Sequence, residues 1–566
     1  MTQSREDVIK QDVRDLHRLG YAQELFRSMG GFSNFAISFS IISILTGAVI
    51  LYDYGLAWAG TAASLIGWPL VTVFVLFIAA SMSEVASAYP TAGGLYYWAS
   101  KMRGKAWGWW TAWFNLIGQF AIVAGIAYAA AQFLNVSIVT PILSNIGIDY
   151  TNVTEIIKIG DVPILTGGLV TMGVLLAICL FLNVRGINLV ALLNQVSVWW
   201  HIAIVAIVVI LLTVSGKPDQ SGMHLFAVEP QDTFFGSWAN VIPFLGINMT
   251  YGSAISYPLF FAFMFSLLQA NWTYTGYDAS AHVAEETVRA RVSSAWGIFL
   301  SVAVSAVAGY IFLVAITTHL PNLDTLFPRD GGPTPDSATY STYYFGQGYA
   351  VFETLRYNLG TIGHLLGAGI ALAMSFCTLS SIASAGRMLF AFSRDDGVPG
   401  SRWLKKVSHR YRTPTNALVT ISVVAFLFTV AAFYMGALGG PGGGGIAIVI
   451  VTAVSTIFLY AAYGIPIFLA LISNSWRSER VWSLGRWSRP VAVVALFWIV
   501  VLLVLFSFPT SGNISWPFMA LAVVLLVIYY FVWARGRFQG PRVMGREEEL
   551  TEIEREFDHA AREVTT

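Results

Sequence analysis

The sequence predicts an all-α integral membrane protein of twelve transmembrane helices, with a five-helix unit used twice in inverted orientation and two further helices at the end. Three observations point there. Of 566 residues, 56% are hydrophobic and 11% charged, against roughly 25% charged in soluble domains. Twelve apolar runs, of which only the sixth carries a charged residue, Asp278, are long enough to cross hydrocarbon, which takes about 20 residues. Two of those runs, five spans apart, are interrupted by short polar segments: Ser43-Ile44-Leu45-Thr46-Gly47 in the first and Asn271-Trp272-Thr273-Tyr274-Thr275-Gly276 in the sixth. Unwound backbone inside a bilayer leaves N–H and C=O groups unpaired, so it persists only where it lines a polar cavity. Paired breaks at corresponding positions of two repeats are the pattern of a carrier with a midplane site.

The elements follow in order. Residues 1–30 are expected to be a cytoplasmic arm. Its charges, from Arg5 to Arg18, lack the basic-then-apolar order of a cleavable signal, so the first span is expected to be retained. The core, 31–473, holds ten spans in repeats of about 31–214 and 254–473. The first repeat comprises runs 31–51, 58–80, 106–134, 162–182 and 189–214; the second comprises 256–284, 295–318, 361–385, 417–438 and 446–473. Runs 490–508 and 516–534 make up the two extra spans within 474–534, and 535–566 is a cytoplasmic tail.

The basic residues set the orientation. With both termini inside, 28 of the 32 Lys and Arg fall on cytoplasmic stretches, leaving Lys158, Lys217, Arg329 and Arg356 outside. The stretches 101–105, 387–412 and 477–489 read as topology determinants. Between spans two and three, 83–98 is too amphipathic to cross and too aromatic for a free linker, and is expected to lie re-entrant in the interface. Residues 342–359 have the same character on the opposite side, as inverted repeats require. In the tail, Leu550, Ile553, Phe557, Ala560 and Val564 share a helix face, which predicts docking on the protein's own inner face. The glycine run at 439–445 reads as an outer loop, since the strand and the Lys-Ser/Thr of a phosphate-cradling loop are missing.

Composition also excludes classes. A net charge of +1 gives no polyanion or nucleic-acid surface, and Cys179 and Cys377, both in apolar runs, offer neither a disulfide framework nor a metal site. No cofactor is expected. An enzyme would need a nucleophile with its base or a metal cluster, yet neither His-Glu-x-x-His nor Gly-x-Ser-x-Gly occurs. A channel would need polar rings along a continuous pore, and the spans supply few.

Four stretches then resemble a known family. They are the Ser43 to Gly47 break; Glu84 to Tyr96, with Tyr89-Pro90 and Gly93-Gly94; Gly276-Tyr277-Asp278-Ala279 running on to Glu285-Glu286; and Ser380-Ser381 followed by Arg387-Met388-Leu389-Phe390-Ala391-Phe392-Ser393-Arg394-Asp395. Together they resemble the amino acid, polyamine and organocation transporters, and within them the amino acid, GABA and choline permeases, over residues 23–473. The resemblance implies secondary active uptake of an amino acid or small organic amine across the plasma membrane by alternating access. An exchanger or sodium-coupled carrier of the same fold, or a sensor that binds without transporting, are the alternatives. Many relatives have Gly-Ser-Gly or Gly-Thr-Gly at the first break where this chain has Leu45-Thr46-Gly47, so the leucine is expected to narrow the cavity or change how an α-carboxylate is held.

The site residues expected on these grounds are Ser43, Thr46, Gly47, Trp272, Tyr274 and Gly276 for substrate, with Trp272 also the lid. The plainer reading of Thr46 and Gly47 is helix packing, and of Trp272 and Tyr274 packed aromatics. Asp278 is expected to cap the helix that follows it. His201 stands inside span five, where ionisable groups are scarce. In proton-coupled relatives a lysine stands sixteen residues after an Arg-Gly pair, and counting from Arg185-Gly186 lands on His201, with Asn194 two turns before it. The resemblance therefore implies proton coupling at His201, with Ser380 and Ser381, whose counterparts ligate sodium in some relatives, as its neighbours. A neutral imidazole donating to a nearby carbonyl is the alternative.

Overall fold

The computed structural model describes residues 4–152, 154–159, 162–230, 258–322, 349–438, 443–507 and 516–563. An arm helix α1 (Arg5–Arg18) starts at Ser4, whose hydroxyl oxygen accepts the Asp7 N–H at 3.1 Å. The first apolar run divides into α2 (Gly31–Ile42) and α3 (Ile44–Ile50), with α4 (Tyr52–Ala59) after it. Next come α5 (Trp68–Ala88), the short α6 (Leu95–Arg103) and the long α7 (Lys105–Leu134), with α8 (Thr140–Asn145) after it. The fourth and fifth spans are α9 (Gly167–Val184) and α10 (Ile187–Ser215). The sixth run is broken into α11 (Leu259–Ser266), α12 (Leu268–Thr273) and α13 (Ala279–His282).

Beyond it lie α14 (Ala290–Thr317), α15 (Tyr349–Leu359), α16 (Thr361–Arg394), α17 (Ser401–Leu404), α18 (Thr415–Leu438) and α19 (Gly443–Ile472). Helices α20 (Ser488–Ser507), α21 (Trp516–Tyr529), α22 (Arg535–Arg537) and α23 (Glu547–Glu563) complete the described chain. Eleven helices among the described residues are long and apolar enough to cross a membrane; the sixth run falls short because its break divides it. Outward faces are apolar, as on α10 (Leu192, Val196, Trp199, Ile207, Ile210) and α21 (Leu521, Val524, Ile528). Soluble monomers do not expose such continuous stripes, and the chain is a multi-pass membrane protein.

Helix α7 is the spine, lying along α19, α16 and α6, while α14 lies against α5 and α2. One expectation changes. Residues 162–166 do not open the fourth span: they form β2 (Val162–Thr166), antiparallel to β1 (Glu155–Ile159), in a hairpin whose β-branched side chains favour extended backbone. The amphipathic stretch at 83–98 is covered by protein throughout, with Tyr96, Tyr97 and Trp98 in the core. Its expected counterpart is described only from Tyr349, as α15; residues 342–348 lie outside the described set. The glycine run is likewise described only from Gly443, at the start of α19.

The tail docks on the chain itself. Leu550 is buried, Glu554 Oε1 accepts the Gln23 N–H at 2.8 Å and meets His17 Nε2 at 2.7 Å, and Met544 N donates to Gly20 O at 2.8 Å. The side chains of Phe557, Ala560 and Val564 lie outside the described set.

Candidate functional site

The first break is a single residue. Ser43 adopts a left-handed φ of 32°, ends α2 by donating its N–H to Phe39 O, and offers its own carbonyl to the N–H groups of Thr46 (2.7 Å) and Gly47 (3.1 Å). Thr46 and Gly47 are therefore the first turn of α3, not unwound chain. The second break runs from Tyr274 to Asp278. Asn271, Trp272 and Thr273 remain helical, and Gly276 makes the turn at φ 91°. A Cβ on Gly276 would stand 2.2 Å from Ile41 Cγ2, so glycine is required for closeness as well as for conformation.

The breaks face each other. A Cβ on Gly47 would meet Thr273 Oγ1 at 2.4 Å, which means α3 and α12 touch backbone to side chain. Below them α2 and α13 are bonded closely: Asn34 Nδ2 donates to Ser280 O (2.9 Å), Ser38 Oγ to Tyr277 O (2.9 Å), and Ser280 Oγ to Asn34 O (3.0 Å). A small cavity remains, lined by Ile41, Ile42, Thr46, Gly47, Ile122, Ile126, Trp272, Thr273 and Thr275, with about 10 Å³ of free volume. That is room for about one water. Anything larger enters only if the halves separate.

Of the expected site residues, Thr46, Gly47 and Trp272 line this cavity. Trp272 is held across it by Nε1 donating to Ser455 Oγ at 2.9 Å. Ser43 and Gly276 shape the breaks from behind. Tyr274 turns away towards α5, its hydroxyl 2.6 Å from Thr72 Oγ1 and its ring against Trp68. Leu45 is not among the lining residues. Sequence reasoning passed over Thr273, Thr275, Ile122 and Ile126; the two threonines stood inside the segment already singled out.

His201 is fully buried beside the first break. Its Nε2 lies 2.8 Å from Ser43 Oγ, which is 2.6 Å from Thr46 Oγ1, and its Nδ1 lies 2.8 Å from Ser197 O. Neither expected partner bonds to the ring itself: the Ser380 hydroxyl is shared between Asn194 Oδ1 and Phe376 O, and Ser381 Oγ donates to Cys377 O.

Asp278 does not cap α13. Its carboxylate gathers donors from three helices: Asn115 Nδ2 (3.0 Å) and Gln119 Nε2 (3.3 Å) of α7, Tyr463 Oη (2.9 Å) of α19, and His282 Nε2 at 3.1 Å. At the face that carries the termini, the motif residues pair. Arg387 grips Glu286 through Nε and Nη2 (2.9 and 3.2 Å), and Arg394 grips Glu285 through both terminal nitrogens (3.0 and 2.8 Å). Burial pushes the Glu285 carboxyl up, but Arg394 overrides it and holds the group below the usual carboxylate range. At the other face Asp53 accepts the N–H groups of Tyr349 and Ala350, both at 3.0 Å, capping α15; burial pushes its carboxyl up to about 7 against those two bonds. Among the described residues no cluster of His, Cys, Asp or Glu could hold a metal ion.

Comparison with known proteins agrees with this architecture. A family profile described as amino acid permease matches residues 29–529. The chain is 32% identical over 538 residues to amino-acid permease BAT1 of Arabidopsis thaliana, covering 93% of this chain and 95% of that protein. It is 30% identical over 539 residues to the BAT1 homolog of Oryza sativa subsp. japonica, covering 93% and 94%. A Candida albicans protein with the provisional name of polyamine transporter is 24% identical over 567 residues, covering 98% and 93%. The chain belongs to the amino acid permease family, within the amino acid, polyamine and organocation transporters.

Proposed function

We propose that this permease is a secondary active carrier that takes up an amino acid or small organic amine across the plasma membrane by alternating access, driven by protons. The observation that carries the reading is the pinched cavity between the two breaks, where Gly47 meets Thr273 and Trp272 crosses the opening. A cavity that admits about one water but is walled by two broken helices suits a site that opens to one side at a time. On this reading the chain has twelve spans, with 31–214 and 254–473 as inverted repeats and both termini cytoplasmic. Thr46, Gly47, Thr273, Thr275 and Trp272 contact the substrate, and Trp272 closes over it from the outer side. Ser43 and Gly276 supply the bends. His201 holds the first bend through Ser43, and a proton added at its Nε2 would reverse the direction of the Ser43 and Thr46 hydroxyl bonds without breaking them.

The relatives' names span amino acids and a polyamine, which sets the probes. In proteoliposomes, labelled L-arginine, L-glutamate, 4-aminobutyrate and putrescine are offered with and without an inward proton gradient. Accumulation of at least one that collapses with the gradient is expected. Accumulation that follows sodium and ignores pH overturns the proton reading, and binding without counterflow of any probe overturns transport in favour of a sensor.

A further inference from the structure

His282 faces two acceptors. Its Nδ1 lies 3.0 Å from the carbonyl oxygen of Ala92 and its Nε2 lies 3.1 Å from Asp278 Oδ2; both side chains are fully buried. A carbonyl oxygen only accepts. Asp278 receives three further donors, from Asn115, Gln119 and Tyr463, which favour its ionised form, so the one proton between Oδ2 and Nε2 sits on the more basic imidazole nitrogen. Both ring nitrogens of His282 must therefore donate, and an imidazole with two N–H groups is a cation. The loop is built around this ring: Gly94 has φ 47°, and a Cβ there would stand 3.2 Å from His282 Nδ1.

The charged groups around the pair are already engaged. Arg394 is bound to Glu285, whose Oε1 also accepts the N–H of Ala92, and Arg387 is bound to Glu286. Helix α7 turns only neutral amides to the pair, α2 presents the neutral Asn34 and Ser38 to α13, and the nearby hydroxyls are those of Tyr463 and Tyr277. His282 and Asp278 are thus each other's counter-charge.

We propose that Asp278 and His282 form the proton-binding site of the transport cycle, His282 carrying the proton and Asp278 serving as its fixed partner. This rests on the proton-driven reading above. The pair touches both moving parts. Tyr463 Oη donates to Asp278 and accepts the N–H of Gly276 at the break (3.1 Å), while His282 holds the loop through Ala92. When the proton leaves Nδ1 for water at the terminal face, the pair passes from net zero to one negative charge. A lone pair then opposes the Ala92 carbonyl, and the loop that seals that face loses one of its two ties to the sixth span. Protonation restores the seal, so each state of the pair favours one arrangement of the inner half-helices.

Two measurements test this on the full chain. With ¹⁵N-labelled histidine at about pH 8, above the ordinary histidine range, the wild type should show a doubly protonated imidazolium that disappears in His282→Gln. Should that variant not insert, Asp278→Asn, which removes the counter-charge, should abolish the same signal. A wild type with only neutral rings at that pH overturns the proposal. In proteoliposomes, His282→Gln should lose pH-driven accumulation of whichever labelled probe the wild type takes up, yet still exchange it at equal pH. Accumulation equal to wild type overturns the coupling role. An imidazolium in a wild type that ignores the gradient for every probe sinks the proton-driven reading instead, and leaves the pair as a structural ion pair.

Discussion

His201 and His282 are equally buried, and both lie against a broken helix, yet their surroundings ask for different numbers of protons. His201 meets one obligate acceptor, the Ser197 carbonyl, and one hydroxyl, that of Ser43, which can give or take a hydrogen. A single proton on Nδ1 satisfies it. His282 meets a carbonyl and a carboxylate, and one proton leaves an acceptor facing a lone pair. Position inside a membrane span therefore says that an ionisable group is unusual; the count of groups that can only accept says whether it is charged.

The comparison can be broken by stability. His282→Ala strands the Asp278 carboxylate without its cation, which typically costs about 3–5 kcal/mol. His201→Ala leaves Ser43 bonded to Thr46 and the Ser197 carbonyl bonded within its own helix, for about 0.5–1.5 kcal/mol. Thermal unfolding of the two purified variants should differ accordingly, and Asp278→Asn added to His282→Ala should recover part of the larger loss. Equal losses would erase the distinction between the two rings.

Gly47→Ala asks which of the two neighbourhoods holds the substrate. Its Cβ would fall 2.4 Å from Thr273 Oγ1 and 2.7 Å from Thr273 Cα, on the His201 side of the cavity. Forcing α3 from α12 should cost about 1–3 kcal/mol and abolish equilibrium binding of a transported probe while the protein stays inserted. Normal uptake by this variant would move the site elsewhere.

Asp53 provides a third buried titratable group, capping α15 at the opposite face. Its carboxyl is raised from 3.8 to about 7, so the folded protein holds a proton there that the unfolded chain has lost. This contribution is full below about pH 4 and is lost as pH rises through 7, at up to about 1.4 kcal/mol per pH unit. Melting temperature should fall over that window, and Asp53→Asn should flatten the slope; an unchanged slope would place the proton on another group. The smallest effect is expected from Trp272→Phe, which keeps the ring and removes the bond to Ser455, worth about 0.5–1.5 kcal/mol. Exchange should slow more than binding weakens. A fall in affinity with unchanged exchange per bound molecule would make Trp272 a wall and not a lid.

Much of the fold was legible. Polar residues interrupting apolar runs located both breaks, and the ninth and tenth spans, read as 417–438 and 446–473, are helices Thr415–Leu438 and Gly443–Ile472. What hydropathy could not separate was the hairpin strand Val162–Thr166 from the span after it, because β-branched residues are apolar in either state. The breaks were read too wide at Ser43, where one left-handed residue is enough to redirect the helix. Of the site, the lining by Thr46, Gly47 and Trp272 could be read along the chain, but Ile122 and Ile126 reach the cavity from α7, and no local pattern marks them. The pairing of Glu285 and Glu286 with Arg394 and Arg387 joins two motifs that the sequence shows separately, and only packing decides the partner. His282 was readable four residues after Asp278, one helical turn on.

The clasp between the two ends of the chain has a consequence in time. His17 and Glu554 are 537 residues apart. At about 5–20 residues per second, the ribosome delivers the second roughly half a minute to two minutes after the first. Over that interval the arm helix gains Arg289, Arg291 and Glu479 in turn but not the tail, and the buried seat of Leu550 stands empty. The terminal face thus acquires its clasped form only once residues 544–554 have been made and have reached the arm.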